Sequence, residues 1–309
     1  MNDLQTHMAH YLEYCRCQKR LDAKTLKAYR IDLAQFQAGM AGASIPEITH
    51  HTLEGFIASL HQKYKPKTVK RKIASIKSLF RYLEYKEIIV QNPFHKMQIK
   101  FRGAATLPKT IPLHTMQELL SAIYKQHTNA KTALQKKNTL RDIAVIELLF
   151  ATGMRISELC SLKDSSVSLA DKSILIFGKG SKERKVQIGN DDVIRVLTDY
   201  KCAFSSEIQA CSHFFANHWG HALSDQSVRR MINKYTSLAA IDLHITPHMF
   251  RHTFATCLLE ADVDIRYIQE ILGHSSIHIT ELYTHVAMSK QRDIIATKHP
   301  RKDFQICLS

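Results

Sequence analysis

The sequence predicts a mainly α-helical protein of the α+β class, with a helical N-terminal domain and a second helical domain that carries one small β-hairpin. Three observations lead there. Apolar residues recur at three- and four-residue steps through most of the chain, the spacing of helices that each bury one stripe. One region, Ser173 to Ile188, instead sets two β-branched runs around a glycine-rich turn. Between Asn92 and Pro112 the periodicity lapses, so the boundaries expected are a first domain at 1–98, a linker at 99–111 and a second domain at 112–309.

Composition bounds the function before any motif is read. A chain of 309 residues with 45% hydrophobic and 23% charged residues has room for two buried cores. Its net charge of +15 points to a polyanionic partner. The charge is concentrated early: residues 1–105 hold eighteen Lys and Arg against eight Asp and Glu. No apolar run approaches the ~20 residues of a membrane span, and no secretory pattern opens the chain, so a cytoplasmic protein is expected. The seven cysteines form no Cys-x-x-Cys pair and are expected as thiols. Cys15 and Cys17, even with His213, His218 and His221, have irregular spacing for a metal site, and no metal or other cofactor is expected.

In the first domain, Leu26, Tyr29, Leu33, Phe36 and Met40 mark one helix. A second begins at Pro66 and buries Val69, Ile73, Ile76, Leu79, Phe80 and Leu83. Its other positions include Lys70, Arg71, Lys77 and Arg81, preceded by Lys63, Lys65 and Lys67, a density that favours phosphate contacts over a merely solvated face. The linker composition is clearest in Phe101 to Pro108. A helix then resumes with Met116, Leu119, Leu120 and Ile123.

Further along, the apolar run Ile143 to Phe150 stops at Gly153, and the chain restarts with Arg155 in Ala151-Thr-Gly-Met-Arg-Ile-Ser-Glu-Leu159. Glycine beside arginine at a helix break lets a guanidinium reach a phosphate that the backbone approaches closely. Glu158 is expected to pin a neighbouring helix or cap its own. Two strands, Ser173 to Phe177 and Lys185 to Ile188, flank Gly178-Lys-Gly-Ser-Lys-Glu-Arg184, with Lys179 at the bend. Helices follow at Asp191 to Phe204 and at Ser224 to Ala240, the second carrying Arg229 and Arg230 as further candidate DNA contacts, and His213 to Ala216 reads as extended.

The richest stretch runs from Thr246 to His285. Thr246 as N-cap and Pro247 in the first helical position start a helix that sets His248 and Arg251 three apart on one face. A short helix, Ile265 to Leu272, stops at Gly273, so His274 falls just past a helix end. Tyr283 lies nine residues on. Two imidazoles, one guanidinium and one phenol delivered from neighbouring helix ends suit an oxyanion such as phosphate.

Arg155, Lys179, His248, Arg251, His274 and Tyr283, each in its motif, resemble in order and spacing the active-site set of the tyrosine recombinases, the phage integrase family. The tail Lys298-His-Pro-Arg301 and the length look most like the Xer-type (XerC/XerD) members. The resemblance implies an N-terminal helical core-binding module on DNA and a C-terminal catalytic domain. It also implies a site-specific recombinase that joins DNA through a 3′-phosphotyrosine link and exchanges strands between two duplexes. Chromosome-dimer resolution and integration or excision of a mobile element both remain open. It further implies a homo- or hetero-tetramer assembled on double-stranded DNA from monomers, with Ile294, Ile295 and Phe304 in a tail that meets a neighbouring subunit.

The residue chemistry is consistent with that. No Walker-type motif and no carboxylate cluster for two metals is present, so protein cations must meet the transition-state charge. Arg155 and Arg251 suit the non-bridging oxygens, and His274 offers another donor. A phenol of pKa ~10 needs a base, for which His248 is suited. By resemblance Lys179 is the acid for the leaving 5′-oxygen, with Glu158 and His252 as supporting groups. The rival readings are a type IB topoisomerase-like relaxase and a catalytically silent DNA-binding regulator of the same fold.

Overall fold

The computed structural model describes residues 4–40, 42–98, 109–178 and 183–273. The chain divides into two compact units, Met1–Ala104 and Ala105–Ser309.

In the first unit, α1 (Leu4–Cys17), α2 (Ala23–Gly39), α3 (His50–Lys63) and α4 (Pro66–Tyr85) form a small helical bundle. Local chemistry sets their starts. The Asp22 carboxylate accepts the Thr25 N–H at 2.8 Å and caps α2, while Pro66 occupies the first turn of α4 after an extended Lys65. The predicted stripe of α4 is buried as expected: Val69, Ile73, Ile76, Leu79, Phe80 and Leu83 all lie inside. Each such side chain contributes roughly 1.5–3 kcal/mol of apolar burial. They pack with Tyr11, Leu33, Phe36 and Leu53 into one core. On α2, Leu26 and Tyr29 are only partly buried, and Met40 is the C-cap rather than a helical position.

Two charged residues interrupt that core. Asp32, 1% exposed, accepts from the Lys72 ammonium at 3.0 Å, the Ser75 hydroxyl at 2.9 Å and the Arg71 guanidinium. Lys72 also donates to Gln35 and lies 4.7 Å from the centre of the Tyr64 ring. Burying a carboxylate costs several kcal/mol unless partners surround it, and here they do.

The second unit begins with α5 (Leu113–Thr128) and α6 (Ala133–Thr152), the latter started by a capping box. Gln135 N–H donates to Thr132 Oγ1 at 3.1 Å, and Thr132 N–H donates to Gln135 Oε1 at 3.3 Å. After the five-residue α7 (Ile156–Cys160) come three antiparallel strands, β1 (Val167–Ser168), β2 (Ser173–Phe177) and β3 (Glu183–Gln187), in that order across the sheet. Strand β1 is an addition to the expected hairpin, too short to show alternation. Strand β3 starts two residues earlier than its β-branched run suggests. It forms one edge of the sheet, with Glu183, Lys185 and Gln187 exposed and Arg184 and Val186 turned inward.

Helices α8 (Asp191–Ala203), α9 (Ser205–Cys211), α10 (Asp225–Leu238), α11 (Pro247–Glu260) and α12 (Ile265–Leu272) complete the described part. Helix α9 was not expected. Phe204 closes α8 and opens α9 with one non-helical residue, so sequence spacing shows no loop between them. The extended piece His213–Ala216 is present as bridges from His213 to Lys163 and from Ala216 to Ala222, with Phe214 and Phe215 fully buried. Met116, Leu119, Ile123, Ile143, Leu149, Tyr200, Tyr235 and Phe250 join them in the second core. No described helix is long and apolar enough to cross a membrane.

Candidate active site

The site is built where α6 ends. Gly153 caps α6 with left-handed torsions, φ 59°, and its carbonyl and the start of α7 face a different part of the chain. A side chain there meets an obstacle as well as a torsional penalty. A Cβ on Gly153 would sit 2.7 Å from Phe254 Cδ1 and 3.0 Å from Leu272 Cδ2. Glycine is therefore required both by conformation and by the close passage of α11 and α12.

Two residues after Gly153, Arg155 is the extended N-cap of α7. Glu158 secures it from one turn on: its Oε2 accepts the Arg155 backbone N–H at 2.9 Å, and its Oε1 accepts Arg155 Nη1 at 2.7 Å. Of the two expected roles of Glu158, capping its own helix is realised; the element it pins is a strand of the sheet and not a neighbouring helix. Arg184 of β3 donates to it with both Nη atoms, at 2.7 and 3.1 Å, and with Nε to the Ile271 carbonyl at 2.8 Å. Burial alone would raise the Glu158 pKa; the bonds from Arg184 and then Arg155 outweigh it and hold the carboxyl below its usual 4.5.

Arg251 enters from α11. It is 5% exposed, and its guanidinium donates Nη1–H to the Gly153 carbonyl at 3.1 Å and Nη2–H to the Leu272 carbonyl at 2.5 Å. Those carbonyls end α6 and α12, where the helix dipoles are negative, so a buried cation is favoured there. Helix α12 stops at Gly273, φ 64°, as its sequence predicts. A Cβ on Gly273 would lie 3.0 Å from Arg184 Cδ.

The first turn of α11 differs in detail from expectation. Thr246 is the extended N-cap, but its side chain makes no capping bond; the turn closes through Met249 N–H to the Thr246 carbonyl at 2.9 Å. His248 and Arg251 keep their three-residue spacing at different depths, His248 exposed and Arg251 buried. His252 is half-buried, and burial, followed by its neighbours His248 and Arg251, depresses its imidazole below the usual 6.5. At neutral pH it is an uncharged ring beside the arginine.

Three guanidiniums, Arg155, Arg184 and Arg251, thus gather around one carboxylate and two helix C-termini. Arg155, the most accessible, keeps 34% of its side chain exposed. The cluster carries a net positive charge among the described residues and can attract an anion. Lys179, His274 and Tyr283 lie outside the described residues; the described chain stops one residue before His274 and flanks Lys179 with β2 and β3. Arg184 was not singled out from the sequence. The signal was available, because alternation along β3 puts Arg184 on the inward side with Val186, and an inward arginine demands a buried acceptor.

Of the proposed DNA contacts, Lys65, Lys67, Lys70 and Arg81 are exposed on or beside α4, and Lys77 is half-buried. Arg71 has a structural partner in Asp32 and retains 46% side-chain exposure. Arg229 and Arg230 are exposed on α10.

This helical architecture with a three-stranded sheet holds an arginine cluster suited to an anion, and comparison with known proteins gives the family. The sequence matches the phage integrase family over residues 110–290 and the phage integrase N-terminal SAM-like domain over residues 8–87. A tyrosine recombinase of Agathobacter rectalis is 65% identical over 98% of this chain and 99% of its own length. Tyrosine recombinase XerC of Bacillus pumilus is 32% identical over 97% and 98%. Among solved structures, a XerH site-specific recombinase bound to a palindromic difH substrate superposes with a TM-score of 0.74 at 22% identity, covering 94% of this chain and 83% of that one.

The chain belongs to the phage integrase family. It is a tyrosine recombinase of the Xer-like kind, a site-specific DNA recombinase. Neither the relaxase nor the silent-regulator reading is favoured by these relatives.

Proposed function

We propose that this protein cuts and rejoins two DNA duplexes at a specific site, one strand pair at a time, with Tyr283 as nucleophile. The phenolic oxygen forms a bond to phosphorus, the P–O5′ bond breaks, and the 3′ end remains attached to the protein. His248 takes the phenol proton, Lys179 gives a proton to the leaving 5′-oxygen, and Arg155, Arg251 and His274 neutralise the non-bridging oxygens. The bond energy is retained in the phosphotyrosine, so resealing by the 5′-hydroxyl requires no nucleotide. Glu158 and His252 support the arginines. Lys65, Lys67, Lys70, Arg71, Lys77, Arg81, Arg229 and Arg230 are the proposed phosphate contacts, in a protein that works in the cytoplasm as a monomer assembling into a tetramer on its site. The division at 98 and 111 into a core-binding domain, a linker and a catalytic domain belongs to the same proposal.

The observation that carries this reading is that Arg155 and Arg251, far apart in sequence, meet at one helix break: Arg251 is bonded to the Gly153 carbonyl two residues before Arg155. Fixed cations that need no rearrangement when charge develops are what phosphoryl transfer without a metal requires.

The test is covalent capture. Wild-type protein incubated with sheared genomic DNA and then denatured retains a defined fragment, whose ends give the site and polarity. Tyr283→Phe binds the same fragment and retains none covalently; retention by that variant at the wild-type level removes Tyr283 from the role. Lys179→Ala slows cleavage of an ordinary site far more than cleavage of one with a 5′-bridging sulfur, whose leaving group needs no proton. Equal slowing on both removes Lys179 from the acid role.

A further inference from the structure

The contacts of the site close into a ring. From Gly153 the chain reaches Arg155, which is bonded to Glu158 at 2.7 Å; Glu158 holds Arg184, and Arg184 holds the Ile271 carbonyl at 2.8 Å. The next carbonyl, Leu272, accepts from Arg251 at 2.5 Å, and Arg251 returns to Gly153 at 3.1 Å. Both arginines proposed to hold the phosphate are on this ring, as is the helix end that precedes His274. Arg184 is the ring member to which no part in the reaction has been given.

We propose that Arg184 is a positioning residue that fixes Arg155, through Glu158, relative to Arg251 and the end of α12. The inference rests on the arginine roles proposed above. Three different nitrogens of one planar group are engaged, two on the carboxylate and Nε on the carbonyl. A bidentate pair alone would bind β3 to α7; the Nε bond adds α12 and makes the separation of the two helix ends a property of one rigid plane. At 10% side-chain exposure, and with Gly273 leaving space against its Cδ, the guanidinium has little freedom to turn elsewhere. Lysine retains the charge but offers one nitrogen, so it can pair with Glu158 without holding both elements in register.

The experiment uses the full-length protein and a nicked duplex built on the site returned by covalent capture, made with either oxygen or sulfur at the 5′-bridging position. Arg184→Lys, Glu158→Gln and the double variant are compared with wild type for melting temperature, DNA affinity and single-turnover adduct formation. Arg184→Lys is chosen because Arg184→Ala strands a buried carboxylate and can fail to fold. The expected result is that Arg184→Lys binds DNA within about twofold of wild type and forms adduct about 10- to 100-fold more slowly, the scale of a small misplacement of reacting groups. The same factor holds on the sulfur substrate, because the phosphate-holding arginines are affected and not the leaving-group acid. Breaking a ring twice opens it no further, so the double variant is no slower than the slower single variant.

Wild-type adduct rates in Arg184→Lys overturn the inference, as do multiplied losses in the double variant. A loss seen only in DNA affinity or in melting leaves Arg184 a purely structural residue, and a loss that vanishes with sulfur reassigns it to the hairpin that carries Lys179. If the wild-type protein forms no adduct on any duplex, it is the proposed reaction that fails.

Discussion

Replacing Gly153 by alanine perturbs the site at the point where backbone conformation and packing both constrain it. The residue has φ 59°, and a left-handed alanine costs roughly 1–2 kcal/mol. The added methyl would lie 2.7 and 2.9 Å from two ring carbons of Phe254 and 3.0 Å from Leu272, so a rigid ring and the end of α12 must shift. Overpacking of that kind costs about 1–3 kcal/mol, giving ~2–5 kcal/mol in all. For a unit spanning Ala105–Ser309, that loss lowers its melting transition by about 5–15 °C. Scanning calorimetry measures it directly. Gly189→Ala is the control, because a Cβ there meets nothing within 4 Å, and it leaves the melt in place. In a cycle with Phe254→Ala, the double variant loses less than the two singles together, by roughly 1–3 kcal/mol, since the clash is gone and the torsional part remains. A Gly153→Ala protein melting within ~1 °C of wild type, or exact additivity with Phe254→Ala, refutes the close-approach argument.

Three other outcomes follow from the same contacts. Asp32→Ala leaves Lys72 buried without its carboxylate and destabilises the first unit by about 3–5 kcal/mol in urea titration, while adding Lys72→Met recovers most of the loss; failure to recover places the cost elsewhere. His252, depressed below 6.5, stays neutral in the folded protein while the unfolded chain takes up a proton, so stability falls as pH drops below 6.5. Urea midpoints at about pH 7.5 and about pH 5.5 draw together in His252→Gln, and an unchanged spread removes His252 as the cause. Glu158, held below 4.5, stabilises the folded chain above that pH and loses this contribution as acid protonates it, so Glu158→Gln flattens the acid limb of the stability curve below 4.5.

What the sequence revealed and what it hid divide along physical lines. Helices α4 and α12 were legible because apolar spacing and a stop or start residue agree: Pro66 opens one and Gly273 closes the other. Gly153 and Arg155 were legible as a helix break for the same reason. Strand β1 and helix α9 were not, being a two-residue strand and a helix separated from its predecessor by Phe204 alone. Helical periodicity treats charge as solvated, and so it missed Lys72, whose acceptor Asp32 is forty residues away. Arg184 escaped for the same reason, its acceptors being Glu158 and the Ile271 carbonyl, 26 and 87 residues distant. Partners so far apart along the chain leave no local pattern, although the alternation along β3 marked the arginine as inward-facing. The roles of Lys179, His274 and Tyr283 came from motif order and fall outside the described residues, so chemistry on DNA must decide them.

Among the described residues, strand β3 lies at the rim of its sheet and pairs on one side only, with β2. Such a rim invites a second chain to add itself. Glu183 and Lys185 stand outward on it, and a partner strand laid alongside would have to accommodate both charges. The rim thus carries its own charged deterrent to the addition of a foreign strand.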